Sequence, residues 1–245
     1  MMKKVCALLM VFSLALPQLA FGAGTGDNPT PTLDVPTKEQ ILEKQRSKKV
    51  EEEYSSKIKA SMSNDIGPLA NGEMRTISVS HFKQETGYWC GPATVKQVLH
   101  FLNGSSKTQS DYAKELGTTT AGTDFSLIDD ILNKHIKTGL YTYQTYAADR
   151  FIAWQSRMIL SVDFEKPAVL DLKITPKELP NYTRNISGHI LNVSGYDARD
   201  MSKAKIRLTD PFDEGGRGQT IGNKWYDMSG VWKANQAHFR KAAIV

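Results

Sequence analysis

Hydrophobic and polar positions divide the 245-residue chain into three stretches of different pattern. The first is an apolar run, Val5 to Leu16, preceded by Lys3-Lys4 and ended by Pro17. Ala20-Phe21-Gly22 then places small residues at the two positions a signal peptidase reads. The run is too short to cross a bilayer, so residues 1–22 read as a secretory signal peptide rather than a membrane span. The second stretch, residues 23–72, begins Gly/Asn/Pro/Thr-rich to about Pro36 and reads as a flexible linker. Thr37 with Gln40 has the form of a capping box, and a highly charged helix is expected from Lys38 to Met62. Its apolar residues are sparse; Val50, Tyr54, Ile58 and Met62 fall four apart and predict a narrow apolar stripe. Gly67-Pro68 ends it.

From about Glu73 to Val245 the periods are those of a folded domain. Thr76–Ser80 alternates as a short strand. Val95, Val98, Leu99 and Leu102 recur at helical spacing, with Gly91-Pro92 in the first turn and Asn103-Gly104 as the stop. A short helix, Asp111 to Leu116, is capped by Ser110 or Thr108 and closed by Gly117. Thr118 to Gly122 is loop. Asp124 opens a helix with Phe125, Leu127, Ile128, Ile131 and Leu132 on one side, ending near His135. Tyr141–Tyr146 alternates as a strand and Phe151–Val162 has helical periodicity. Three strands are expected after that: Pro167–Ile174, Gly188–Tyr196, and Lys203–Asp210 stopped by Pro211. Helices followed by strands argue for an α+β domain. No internal repeat is visible.

Composition narrows the function classes. Hydrophobic content is 40%, ordinary for a globular protein. The net charge of +5 includes Lys3 and Lys4. Once these leave, the rest carries about +3, and no Arg/Lys face interleaved with aromatics points to nucleic acid. No other apolar run is long enough to span a membrane, so no integral membrane segment is expected in the mature chain. No His/Cys/Asp/Glu group has metal-ligand spacing, and no metal or other cofactor is expected. Gly215-Gly216-Arg217-Gly218 lacks the preceding strand and the Lys-Ser/Thr of a phosphate loop and reads as a mobile loop near the site. Of the two cysteines, Cys6 leaves with the signal peptide, so Cys90 remains as a lone thiol in an exported chain.

That thiol carries the chemistry. Cys90 falls at a helix N-terminus, where the dipole and the free N–H groups favour a thiolate. Gln84, six positions earlier, has a side-chain amide that could donate to an oxyanion beside the sulfur. If the last two strands form a hairpin turning at Arg199-Asp200, His189 stands directly opposite Asp210, and both lie on the face shared by Leu191 and Val193. The carboxylate would then accept from one imidazole nitrogen and leave the other for the thiol. The bland alternatives are a buried inert cysteine, a core histidine, and an Asp210 that only begins a turn before Pro211. His81 is the fallback base, and Asp197, Asp171 and Asp213 are weaker candidates for the orienting carboxylate. Trp225, Tyr226 and Trp232 read as core or cleft-wall aromatics.

Gln84, then Gly87-Tyr88-Trp89-Cys90-Gly91-Pro92-Ala93, resembles the active-site segment of papain-like cysteine peptidases, closest to the stand-alone secreted branch related to the C39, bacteriocin-leader-processing, peptidases. Gly188-His189 and Thr209-Asp210-Pro211 resemble the family's His and Asp segments in the expected order. The resemblance covers about Val79 to Asp210. It implies a papain-like fold and a Cys90–His189–Asp210 triad with Gln84 as oxyanion donor. It implies a secreted cysteine peptidase, extracellular or periplasmic, acting on a peptide or protein. No transporter segments accompany it, so the substrate need not be a double-glycine leader. An amidase or acyl transferase with the same thiol chemistry, and a non-catalytic binding module of the same fold, stay open. For residues 24–71 three readings compete: a charged spacer, an intramolecular inhibitory pro-segment, and a partner-binding helix.

Overall fold

The computed structural model describes residues 28, 32–62, 73–137, 139–213 and 220–245; the proposed signal peptide, the Gly67-Pro68 stop and the Gly215–Gly218 loop lie outside the described residues. Helix α1 spans Lys38–Met62. Strand β1, Met74–Thr76, leads through an extended loop into α2, Cys90–Asn103. Helix α2 ends on Gly104 at φ 74°, a left-handed position that favours glycine. Helix α3, Gln109–Glu115, is capped by Thr108, whose side chain and that of Asp111 form a reciprocal box. Asp124 caps a 3₁₀ turn, Phe125–Leu127, which runs into α4, Ile128–His135. Then follow β2 Tyr143–Thr145, α5 Phe151–Asp163, β3 Val169–Ile174, β4 Ile186–Asp197, β5 Lys205–Asp213, β6 Thr220–Asp227, α6 Met228–Ala237 and β7 Ala242–Ile244.

The strands form one antiparallel sheet in the order β2-β7-β3-β4-β5-β6, with β1 added to the far half of β4. Both faces are covered. Because side chains alternate across a strand, Val169, Ile190 and Ile244 point into a core shared with α2, α3 and α4. Their neighbours Leu170, Leu191 and Ala243 point into a second core built on α5 and α6, where Trp154 and Trp232 pack with ring centroids 5.5 Å apart. The architecture is α+β, with Cys90 opening a helix that packs on an antiparallel sheet.

Besides the first strand, which runs Met74–Thr76 and not Thr76–Ser80 because only 74–76 pair with β4, three expectations change. The third strand does not stop at Pro211. It continues to Asp213, because the proline falls where the pairing with β6 shifts, between Asp210 and Asp213, and a bulge tolerates a residue without an N–H. The His189–Asp210 register is also shifted. Beyond the turn β4 pairs Tyr196 with Ile206, and nearer the site it pairs Asn192 with Thr209. The irregularity between Val193 and Gly195 absorbs one residue. Extending the inner register puts Asp210 beside Leu191, diagonal to His189 on the same face. The third change concerns α1. Val50 is 39% exposed, whereas Ile58 is fully buried and Tyr54 packs half-buried on the core, and the buried remainder of the inward face is polar: Gln40, Ser47, Glu51 and Ser55.

That polar face makes a seam of hydrogen bonds. Gln40 Nε2 donates to Asp129 Oδ2 at 3.1 Å and to Asp130 Oδ1 at 3.2 Å. Lys44 Nζ donates to the Tyr143 carbonyl at 2.8 Å. Arg157 donates to Ser47 Oγ at 2.9 Å, Tyr146 to Glu51 Oε2 at 3.3 Å, and Ser55 and Ser156 share a bond at 2.9 Å. The stretch ahead of α1 is tied down as well, by Thr32 to Asp124 and by Asn28 N–H to the Thr123 carbonyl. Under the first turn of α1, burial and then the charges of Asp34 and Asp130 hold the Asp129 carboxyl up to about 7. A carboxyl whose folded value is raised above its unfolded one gives up stability as pH rises between the two. Asp129→Asn is therefore expected to reduce the loss of stability between pH 5 and pH 8, read from urea midpoints at the two pH values.

Candidate active site

Cys90 occupies the first turn of α2 and is fully buried. Trp89, in the cap position, offers no side-chain hydrogen bond, so the helix's first amides are left for another acceptor. Gly91 lets the chain pass Thr123 closely: a Cβ there would lie 2.4 Å from Thr123 Oγ1. Thr94, one turn on, donates through Oγ1 to the Ile190 carbonyl at 3.0 Å, which fixes the start of α2 against β4 beside His189.

His189 and Asp210 meet in a fully buried pair. His189 Nε2 lies 2.7 Å from Asp210 Oδ1, and the Phe212 N–H donates to the same oxygen at 2.8 Å. Nδ1 of the ring is buried without a hydrogen-bond partner. Burial by itself opposes an imidazolium. The charge and hydrogen bond of Asp210 outweigh it, Cys90 adds to the same upward pull, and His189 is held up to about 10. The imidazole therefore carries both protons at neutral pH, one on Nε2 turned to the carboxylate and the other on Nδ1.

Gln84 is buried in the loop before α2. Its backbone N–H donates to the Pro211 carbonyl at 2.8 Å, so this loop is anchored to the residue after Asp210. Its side-chain Nε2 donates to the Thr86 carbonyl at 2.8 Å and has a second hydrogen to give. Two other buried glutamines hold the loop. Gln97 on α2 donates to the Phe82 carbonyl at 3.0 Å and accepts from Asn192 of β4 at 2.6 Å. Gln109 at the start of α3 donates to the Lys83 carbonyl at 2.6 Å and accepts the Glu85 N–H at 3.0 Å.

The other candidates are placed elsewhere. His81 is exposed, and Asp197 is held by Arg199 at 2.7 Å. Asp213's side chain lies outside the described residues. Asp171 belongs to a second buried pair with His238, 3.6 Å apart. Burial first, then the charges of Arg240 and Lys173, push that imidazole down to about 4, so His238 is neutral where His189 is charged. Tyr226 and Trp232 are buried in the core on the α5 side. Among the described residues, no three His, Cys, Asp or Glu side chains are grouped to hold a metal.

A family model described as Peptidase_C39 like matches residues 76–238. The chain belongs to the Peptidase_C39 like family. The match takes in Gln84, Cys90, His189 and Asp210 and begins after α1. Membership identifies the papain-like α+β fold and suggests cysteine-peptidase activity. A search of curated proteins finds no match. Sequence reasoning on this C39-like chain missed Gln97, Gln109, Thr123 and Tyr182. Thr94, Gln97 and Asn192 were polar residues inside apolar periods, which was a usable signal; Gln109 and Tyr182 sit in loop-like surroundings and gave none. Gly91→Ala should force the opening of α2 away from Thr123, at a cost of about 1–3 kcal/mol of stability by urea denaturation, with a slower thiol.

Proposed function

We propose that the protein is a secreted cysteine peptidase in which Cys90, His189 and Asp210 form the reacting set. The observation that carries this reading is the buried His189–Asp210 pair, with Cys90 acting on the same ring. The thiolate of Cys90 attacks the scissile carbonyl carbon, and the carbonyl π electrons move onto oxygen. The Cys90 N–H and the second hydrogen of Gln84 Nε2 donate to that oxyanion. As the C–N bond breaks, His189 gives the Nδ1 proton to the departing amine, leaving a thioester on Cys90. Neutral His189 then takes a proton from water as its oxygen attacks the thioester, and the carboxylic acid leaves with Cys90 restored. Asp210 stays ionised throughout and orients the ring. Export rests on the signal-peptide pattern of residues 1–22, and a peptide or protein is the substrate class.

Residues 24–71 enter this reading as a clamp on the domain. Helix α1 sits on α5 through its polar seam, and among the described residues of the arm Asn28 is bonded to Thr123, whose side chain borders Gly91.

Epoxide alkylation of the folded protein at pH 7 is expected to modify Cys90 far faster than in urea. His189→Ala should slow it by about 10²–10⁴-fold, and Cys90→Ser should abolish cleavage of a peptide library. Since His189 is held up to about 10, the rate should stay level through neutral pH and fall only as pH rises towards that value. Equal labelling of folded and unfolded chains would end the enzyme reading.

A further inference from the structure

One side chain from the β3–β4 connection reaches the reacting set. Tyr182 is buried, and its hydroxyl donates to Asp210 Oδ2. The two oxygens of the carboxylate are thereby divided: Oδ1 serves His189 Nε2 and the Phe212 amide, and Oδ2 takes the tyrosine. The rings enclose the pair. Tyr182 lies edge-on to His189 at 6.2 Å, Phe212 edge-on to it at 5.5 Å, and Tyr182 and Phe212 pack on each other at 5.5 Å.

The placement of Tyr182 is built into the fold. Its N–H donates to the Leu179 carbonyl, Leu179 N–H donates to Thr175, and Leu179 is fully buried. The neighbouring Glu178 carbonyl presses on α6 where only Gly230 leaves room; a Cβ there would lie 2.7 Å from that oxygen. Burial, and then the charge of Asp210, push the phenol well above its usual value, so the hydroxyl remains a donor at any working pH.

A carboxylate with one oxygen unanchored can rotate about its Cβ–Cγ bond and let the imidazole swing with it. A donor on Oδ2 removes that freedom. Resting on the triad reading above, we propose that Tyr182 is a positioning residue for the reaction, its hydroxyl holding the Asp210 carboxylate aimed so that His189 presents its Nδ1 proton towards Cys90.

The test uses the full chain and a double-mutant cycle. Tyr182→Phe keeps the ring and removes only the donor. It is expected to slow epoxide alkylation of Cys90 at pH 7 by about tenfold, the scale of a lost hydrogen bond to a charged group. In an Asp210→Ala background, where there is no carboxylate to hold, the same change should cost less than about twofold. A residue that merely fills space would give equal losses in both backgrounds, and that result overturns the proposal. A second measurement does not depend on reactivity. The His189 Nε2–H proton, bonded to Asp210 and shielded from water, should give a downfield NMR resonance. Tyr182→Phe should make it exchange with water at least about tenfold faster; an unchanged exchange rate overturns the positioning role. If His189→Ala alkylates as fast as the unaltered protein, the triad reading fails, and the NMR exchange rate still decides whether Tyr182 holds the pair.

Discussion

A carboxylate and an imidazole closed off from water are what the surrounding fold has to keep together. Asp210 and His189 are almost fully buried, and neither would tolerate that alone. Together they do, because His189 Nε2, the Phe212 amide and the Tyr182 hydroxyl all donate to the carboxylate. Two neighbouring strands supply the partners, and a one-residue irregularity near Ser194 keeps both on one face of the sheet. Losing that bulge would move one of them to the opposite face, since the side-chain period is two.

Cys90 is brought to this pair from the other side of the chain by polar contacts that hydrophobic packing alone would not specify. Val95, Val98 and Leu99 seat α2 on the sheet, but an apolar face can slide or rotate by small amounts. Thr94 to Ile190, Gln97 to Asn192 and Gln97 to Phe82 set its position along β4 and tie it to the Gln84 loop. The Gln84–Pro211 bond closes the circuit, running from the loop before α2 to the residue after Asp210. A geometry needed to within fractions of an ångström is held by side chains that are themselves held.

Helix α1 attaches by different physics. Its inward face presents Gln40, Ser47, Glu51 and Ser55 with only Ile58 fully apolar and fully buried, so its docking rests on paired polar groups more than on area removed from water. Such a seam is specific in register, because each group left unpaired is costly, and it is sensitive to charge at Asp129. Unlike the C39-like region, it carries no continuous apolar face that would make its separation prohibitive.

Much of the site was legible from residue order. The Thr37–Gln40 box, the helix opening at Cys90, the stop at Gly104 and the Asp124 cap follow from backbone requirements that act within a few residues, so the local sequence determined them. The shared face of His189 and Asp210 was expected from a tight hairpin register, but in the fold it depends on the bulge between Val193 and Gly195. What only the tertiary structure decided were matters of long-range competition. Pro211 is carried inside β5 because a bulge and the Gln84 loop accept it. The inward face of α1 is the polar one because its neighbours Asp129, Tyr146, Ser156 and Arg157 offer partners for it. Tyr182 joins the site because α6 leaves space for its loop at Gly230. A short stretch can state what its backbone requires; which polar group a buried side chain will meet depends on the partner that a distant segment brings.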